Sequence, residues 1–86
     1  MSEMPGRRLP DDSDLRTAEP GDYFRVTLNG RVAEWWFRDP LGVVGRITKH
    51  TVEEHEDETI TVSPSIAMAP GEDGFHGFLR RGVWSW

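Results

Sequence analysis

Cysteine is absent from these 86 residues. That excludes disulfide staples, thiolate zinc sites and a thiol nucleophile, and it suits a reducing interior. No apolar run approaches the roughly 20 residues that a membrane helix needs. The start of the chain lacks the apolar core of a signal peptide. A cytoplasmic protein with no membrane contact is therefore the expectation. Hydrophobic residues make up only 36% of the chain. That is thin for complete packing, so a disordered part is expected beside a folded one. There is no internal repeat and no low-complexity segment.

What is present is aromatic and charged. Four Trp, four Phe and one Tyr give a short chain the large rings it needs, since a domain of this size buries a small share of its surface. The length allows one domain. The net charge is −5, and it is unevenly spread: Glu53, Glu54, Glu56, Asp57 and Glu58 crowd around His55. Arg25, Arg31, Arg38, Arg46 and Lys49 face only Glu34 and Asp39 in the stretch before it. The acidic total argues against nucleic acid as partner, because that binding runs on phosphate neutralisation.

Residues 1–21, with three Pro and eight charges, predict a flexible tail. Asp12-Ser13-Asp14 could cap a turn, but no stable helix is expected there. Residues 22–86 then form a single β domain. Tyr23 to Leu28 and Arg31 to Phe37 flank Asn29-Gly30, a pair suited to a type I′ hairpin turn. Arg38 to Gly42 is a turn with Pro40 presetting φ. Val43 to Glu54 is a third strand, with a bulge expected at Gly45. Thr59 to Val62 is β-branched almost throughout and makes a fourth, ended by Pro64, which has no N–H to donate. Residues 69–74 read as a loop. Phe75 to Leu79 and Val83 to Trp86 complete the set, with Trp86 expected to tuck into the sheet. The predicted fold is all-β: a small antiparallel meander or sandwich-like sheet of five to six strands behind a disordered N-terminal tail.

The chemistry centres on residues 50–66, HTVEEHEDETITVSPSI. His50, His55 and His76 with Glu53, Glu54, Glu56 and Asp57 form a pool of metal-type ligands. Their spacing is poor, because His50 and His55 are an odd number apart and point to opposite faces of a regular strand. The simpler reading is a hydrogen-bonded His50 and a solvated acidic hairpin tip, so no metal ligand and no cofactor are assigned. Ser63 or Ser65 with His50 or His76 could make a hydroxyl–imidazole pair for hydrolysis. No glycine or strand-to-helix elbow flanks either serine, so their first role is to bond backbone around Pro64. The aromatics exceed what so small a core can hold. Trp35 and Trp36 are adjacent on a strand, so one of them faces outward. Trp and Arg are the usual anchors of a protein interface.

The runs HTVEEHEDETITVSPSI and HGFLRRGVW, and the earlier WWFRDPLGVVG, resemble a small phage and bacterial domain family of unknown function. Its members read close to NHTVTxHEDGTITVSPSI followed by HGYLxxGVW. The resemblance covers about residues 35–86. It implies an accessory phage protein that engages a host or phage protein, in the host cytoplasm, and it carries no activity. Longer relatives add a cysteine-rich segment, which cannot exist here in that form. The family has Gly where Glu58 stands, so the turn here must be of another type or strained.

The expected function is a non-enzymatic binding protein engaging a protein partner through exposed aromatics. Its candidate binding residues are Trp35, Trp36, Arg38, His50, Ser65, His76 and Arg80. The alternative is a metal-dependent or hydrolytic enzyme centred on His50, Ser63, Ser65 and His76. Edge strands and a small core leave a homo-oligomer open.

Overall fold

The structure is a computed structural model and describes residues 2–67 and 75–86. Among the described residues there are nine strands: β1 (Glu3–Pro5), β2 (Arg7–Arg8), β3 (Asp22–Leu28), β4 (Arg31–Arg38), β5 (Val44–Ile47), β6 (Thr51–Glu54), β7 (Ile60–Ala67), β8 (His76–Arg80) and β9 (Val83–Ser85). A 3-10 turn covers Leu15–Thr17. The strands form a five-stranded sheet, in the order β1-β9-β8-β7-β6, and a four-stranded sheet, in the order β2-β3-β4-β5. All neighbours are antiparallel except β2 and β3. The all-β, sandwich-like class is as expected. Among the described residues no helix is long and apolar enough to cross a membrane.

Local chemistry explains the turns. Asn29 and Gly30 both take positive φ, 54° and 78°, the geometry of a type I′ turn. Asp39 closes the next turn. Its carboxylate accepts from the N–H groups of Leu41 and Val43 at 2.8 and 3.0 Å, and its backbone C=O accepts from Gly42 at 2.8 Å. Aspartate at the first position and proline at the second suit such a turn.

Two segments change sheet. β1 and β2 are separated by Gly6 alone, and β5 and β6 by residues 48–50. Strands that bend from one sheet into the other make corners of this kind. Gly6 is needed at the first corner. A Cβ there would lie 2.9 Å from the Gly82 carbonyl oxygen and 3.0 Å from that of Gly21.

The core lies between the sheets. Tyr23, Trp35, Phe37 and Ile47 from one side meet Ile60, Val62, Leu79 and Trp84 from the other. Trp84 is the centre. Phe37 and Phe75 pack on it at 5.4 and 5.5 Å between ring centroids. Its Nε1–H donates to the Gly21 carbonyl at 2.9 Å, so a large ring is buried without an orphaned donor. Burial pushes the Tyr23 phenol above its ordinary pKa.

Several expectations are corrected. Residues 2–21 are no flexible tail: they supply β1, β2 and the 3-10 turn. Met4 packs against the core, Arg7 pairs with the buried Asp22 at 2.8 Å, and Ser2 and Trp86 exchange backbone hydrogen bonds. A polar, Pro-rich segment reads as disorder by composition, yet it is held by partners far along the chain. The third strand splits into β5 and β6, which lie in different sheets. With the two N-terminal strands this raises the count to nine. No register shift occurs at Gly45; the irregularity lies between Val26 and Thr27. Pro64 interrupts pairing without ending the strand. The register shifts between Val62 and Ile66 there, so no ladder hydrogen bond is asked of the proline. Trp84, not Trp86, is the tucked-in tryptophan; Trp86 stays partly exposed. The expected loop over residues 69–74 lies outside the described residues.

Candidate functional site

Trp35 and Trp36 face opposite ways, as adjacent strand residues must. Trp35 points into the core at 5% exposure, with the Arg8 guanidinium 5.1 Å from its ring centre. It cannot serve as a surface anchor. Trp36 is the outward one. Its indole N–H donates to Glu34, and its ring packs against Phe24 at 6.3 Å. It is only half-exposed, because residues 9–20 run across this outer face of the four-stranded sheet. Phe24 is fully buried beneath them and Ala18 is buried too. Leu15, Trp36, Val44 and Arg46 line a small concavity of about 300 Å³ here. Arg38 is committed to structure: its guanidinium donates to the carbonyls of Gly42 and Leu15 at 2.7 and 3.2 Å.

The outer face of the five-stranded sheet is different. Alternation along β8 puts His76, Phe78 and Arg80 on this side, while Gly77 and Leu79 are buried. Cross-strand pairing sets Ser85 beside Phe78 and Val83 beside Arg80, and Glu3 and Pro5 follow on β1. Phe78 and Trp86 are each 37% exposed and Val83 38%. The Arg80 guanidinium stacks on the Phe78 ring at 4.1 Å. Glu3, His76, Phe78, Arg80, Ser85 and Trp86 line a concavity of about 470 Å³.

Trp86 is held firmly although it is partly exposed. Its N–H donates to Ser2 and its C=O accepts from Ser2, at 2.9 and 2.6 Å, and its ring sits edge-on to Phe75 at 5.8 Å. Gly77 makes that position available. A Cβ there would fall 2.1 Å from the Ser85 carbonyl oxygen and 2.9 Å from the Trp86 Cβ.

Three of the sequence candidates converge beside this concavity. The His50 Nε2–H donates to the Ser65 carbonyl at 2.9 Å. A carbonyl only accepts, which fixes the proton on Nε2. His50 Nδ1 is buried without a hydrogen-bond partner among the described residues. The Ser65 hydroxyl lies 3.2 Å from His76 Nε2. Ser63 is exposed on the same strand and opposite Thr51, and it stands outside this chain of contacts. The pairing of Ser65 with His76 is therefore real, with neither side chain in a closed pocket. No hydrogen bond to His76 Nδ1 is formed among the described residues.

The acidic hairpin is a hydrogen-bonded network tied to Arg8, Arg25 and Arg81. Glu53 Oε1 lies 3.5 Å from His55 Nδ1, and His55 Nε2 lies 2.7 Å from the Thr61 hydroxyl. That oxygen also accepts the Arg81 N–H at 3.0 Å. Asp57 caps Thr59 through its N–H and hydroxyl, at 3.1 and 2.6 Å, and these bonds hold its carboxyl below the ordinary pKa. Glu58 takes φ of 70°, so the strained form of the turn is the one adopted. The hairpin borders a concavity of about 480 Å³ with Glu54, His55, Glu56, Asp57 and Arg81. Its volume matches the other, so the lining decides between them: this one offers no aromatic wall against which a partner could shed water. Among the described residues no three His, Asp or Glu side chains come together to hold a metal ion.

The candidate site is thus the outer face of β8, β9 and β1. Of the sequence candidates only His76 and Arg80 line this concavity; Ser65 and His50 reach it through the contact with His76, and Phe78, Trp86 and Glu3 were not among the candidates. The i, i+2, i+4 spacing of His76, Phe78 and Arg80 carried the signal for Phe78. Trp86 was hidden by the expectation of burial. Glu3 was hidden by the reading of its segment as a tail. No family model, curated protein or solved structure matches this chain.

Proposed function

We propose that the chain is a non-catalytic binding module that engages a protein partner through the outer face of its five-stranded sheet. The observation that carries this is the treatment of the two outer faces. The four-stranded sheet has its outward aromatics covered by residues 9–20, with Phe24 fully buried. The five-stranded sheet leaves Phe78, Val83 and Trp86 in view, on backbone pinned by cross-strand bonds. Rigid aromatics flanked by an arginine are the usual anchors of an interface, and they lose little freedom on binding. The resemblance to phage-type accessory proteins is in keeping with this role and with a protein of the host cytoplasm as partner.

A photo-crosslinking residue placed at Phe78 tests it, with one at the exposed Val32 as control. Cross-links to a defined partner from position 78 and none from position 32 are expected. Equal capture from both positions, or none from position 78, contradicts the proposal.

A second reading rests on one distance, the 3.2 Å between Ser65 Oγ and His76 Nε2. Serine hydrolysis would begin from that pair. A fluorophosphonate probe would label Ser65 in the native chain and fail to label His76→Ala. Absence of labelling removes the reading.

A further inference from the structure

Residues 9–20 leave β2 and return to β3 at almost the same place. Arg7 is paired with Asp22, and Arg8 with Tyr23. The segment is therefore a loop with adjacent ends, laid over the four-stranded sheet. We propose that it is a strap that lifts as a unit, uncovering Phe24 and Trp36, while both sheets stay closed.

The contacts support this. Of the strap's residues only Ala18 is buried; Leu15 is half-buried and most others are exposed. Beneath it Phe24 is fully buried while Trp36 is half-exposed. Its middle is held by polar contacts near solvent. The Asp12 N–H donates to the Arg25 carbonyl at 2.8 Å. The Asp12 carboxylate accepts from the Thr27 N–H and hydroxyl at 2.7 and 2.6 Å. Asp11 pairs with Arg25 at 2.8 Å, and Arg25 also reaches Glu54 at 3.3 Å, so it keeps a partner when Asp11 leaves. Asp12 takes φ of 58°, a left-handed conformation that costs an aspartate energy and is relieved on opening. At the far end Asp22 holds Arg7 and the Glu19 N–H, which anchors the hinge. Few apolar contacts and exposed hydrogen bonds are the marks of a segment that opens below the global unfolding energy. The strap thus decides whether a second aromatic surface is on view.

Native-state hydrogen exchange by NMR on the full chain tests this. The reporters are the Asp12 and Thr27 amides for the strap, and the buried Gly82 amide, bonded to the Ile60 carbonyl at 2.9 Å, for the whole fold. The strap amides should exchange together, at least about tenfold faster than Gly82 and with little dependence on denaturant. Asp11→Ala should speed the strap amides severalfold. Strap amides that exchange at the Gly82 rate, with the same denaturant dependence, would show that the segment opens only on global unfolding and would overturn the proposal. So would an Asp11→Ala variant whose strap amides exchange no faster than those of the native chain.

Discussion

The two sheets carry similar outward residues and treat them differently. On the four-stranded sheet Phe24 and Trp36 stand side by side, as Phe78 and Trp86 do near one another on the five-stranded sheet. The first pair is covered by a segment the chain supplies, and Phe24 reaches zero exposure. The second pair receives no such cover from the described residues. An aromatic in the first setting contributes to folding, because unfolding returns it to water. In the second setting that contribution is only partly made, and the remaining apolar surface is available to another molecule. Exposure alone does not mark a site, since scattered apolar residues are normal on surfaces. The Phe78 face differs in that Phe78 and Trp86 line one concavity on backbone held by fixed hydrogen bonds.

Substitutions can break this comparison. The largest effect should come from Phe24→Ala, which empties a sealed site and should cost about 3–5 kcal/mol. Phe78→Ala should cost less than about 1 kcal/mol, chiefly the stacking of Arg80. Urea unfolding of both variants checks this. Equal losses would mean that the two faces do not differ energetically. A smaller change is expected from Glu58→Gly. Glycine removes the penalty of a left-handed glutamate, about 1–2 kcal/mol, and gives back part of it as chain entropy. The net gain should be about 0.5–1 kcal/mol, read as a higher urea midpoint, and a lower midpoint would refute the strain account.

The smallest effect is one of pH. Thr27 holds Asp12, and Arg25 holds Asp11, below the ordinary aspartate value of 3.8. A carboxylate depressed in the folded state stabilises the fold above its unfolded pKa. That stabilisation is lost as pH falls through the folded value. Strap protection in hydrogen exchange should therefore be level from neutrality down to about pH 4 and decline below it. In Asp12→Asn the decline should be shallower, and an unchanged profile would remove Asp12 from the latch.

Much of the architecture was legible because it is local. The Asn29-Gly30 turn, the Asp39-Pro40 turn and the β-branched run at Thr59 to Val62 each specify their own backbone. What escaped was set by distant partners. Nothing near Met4 or Arg7 announces a strand, since β1 depends on β9 and the buried Asp22 waits fifteen residues beyond Arg7. The break between β5 and β6 was equally hidden, because a strand that changes sheet has no composition of its own. At the site, residue type gave His76 and Arg80, a histidine able to pair with a serine and an arginine of the kind that anchors interfaces, whereas which serine meets which histidine is set by strand pairing that brings Ser65 to His76. Trp86 could not be placed from sequence, because it lies past the end of β9 and is held by backbone bonds to the distant Ser2.

Hydroxyl-radical footprinting, on the purified chain and inside cells that produce it, tests the central claim most directly. In the purified chain Phe78 and Trp86 should be oxidised readily, Trp36 more slowly and Phe24 hardly at all. Inside cells Phe78 and Trp86 should become protected while the exposed Leu28 and Val32 stay reactive, as docking on the five-stranded sheet requires. If Phe78 and Trp86 react equally in both settings, or if protection falls on Leu28 and Val32 instead, the outer face of β8 and β9 is not where this protein binds.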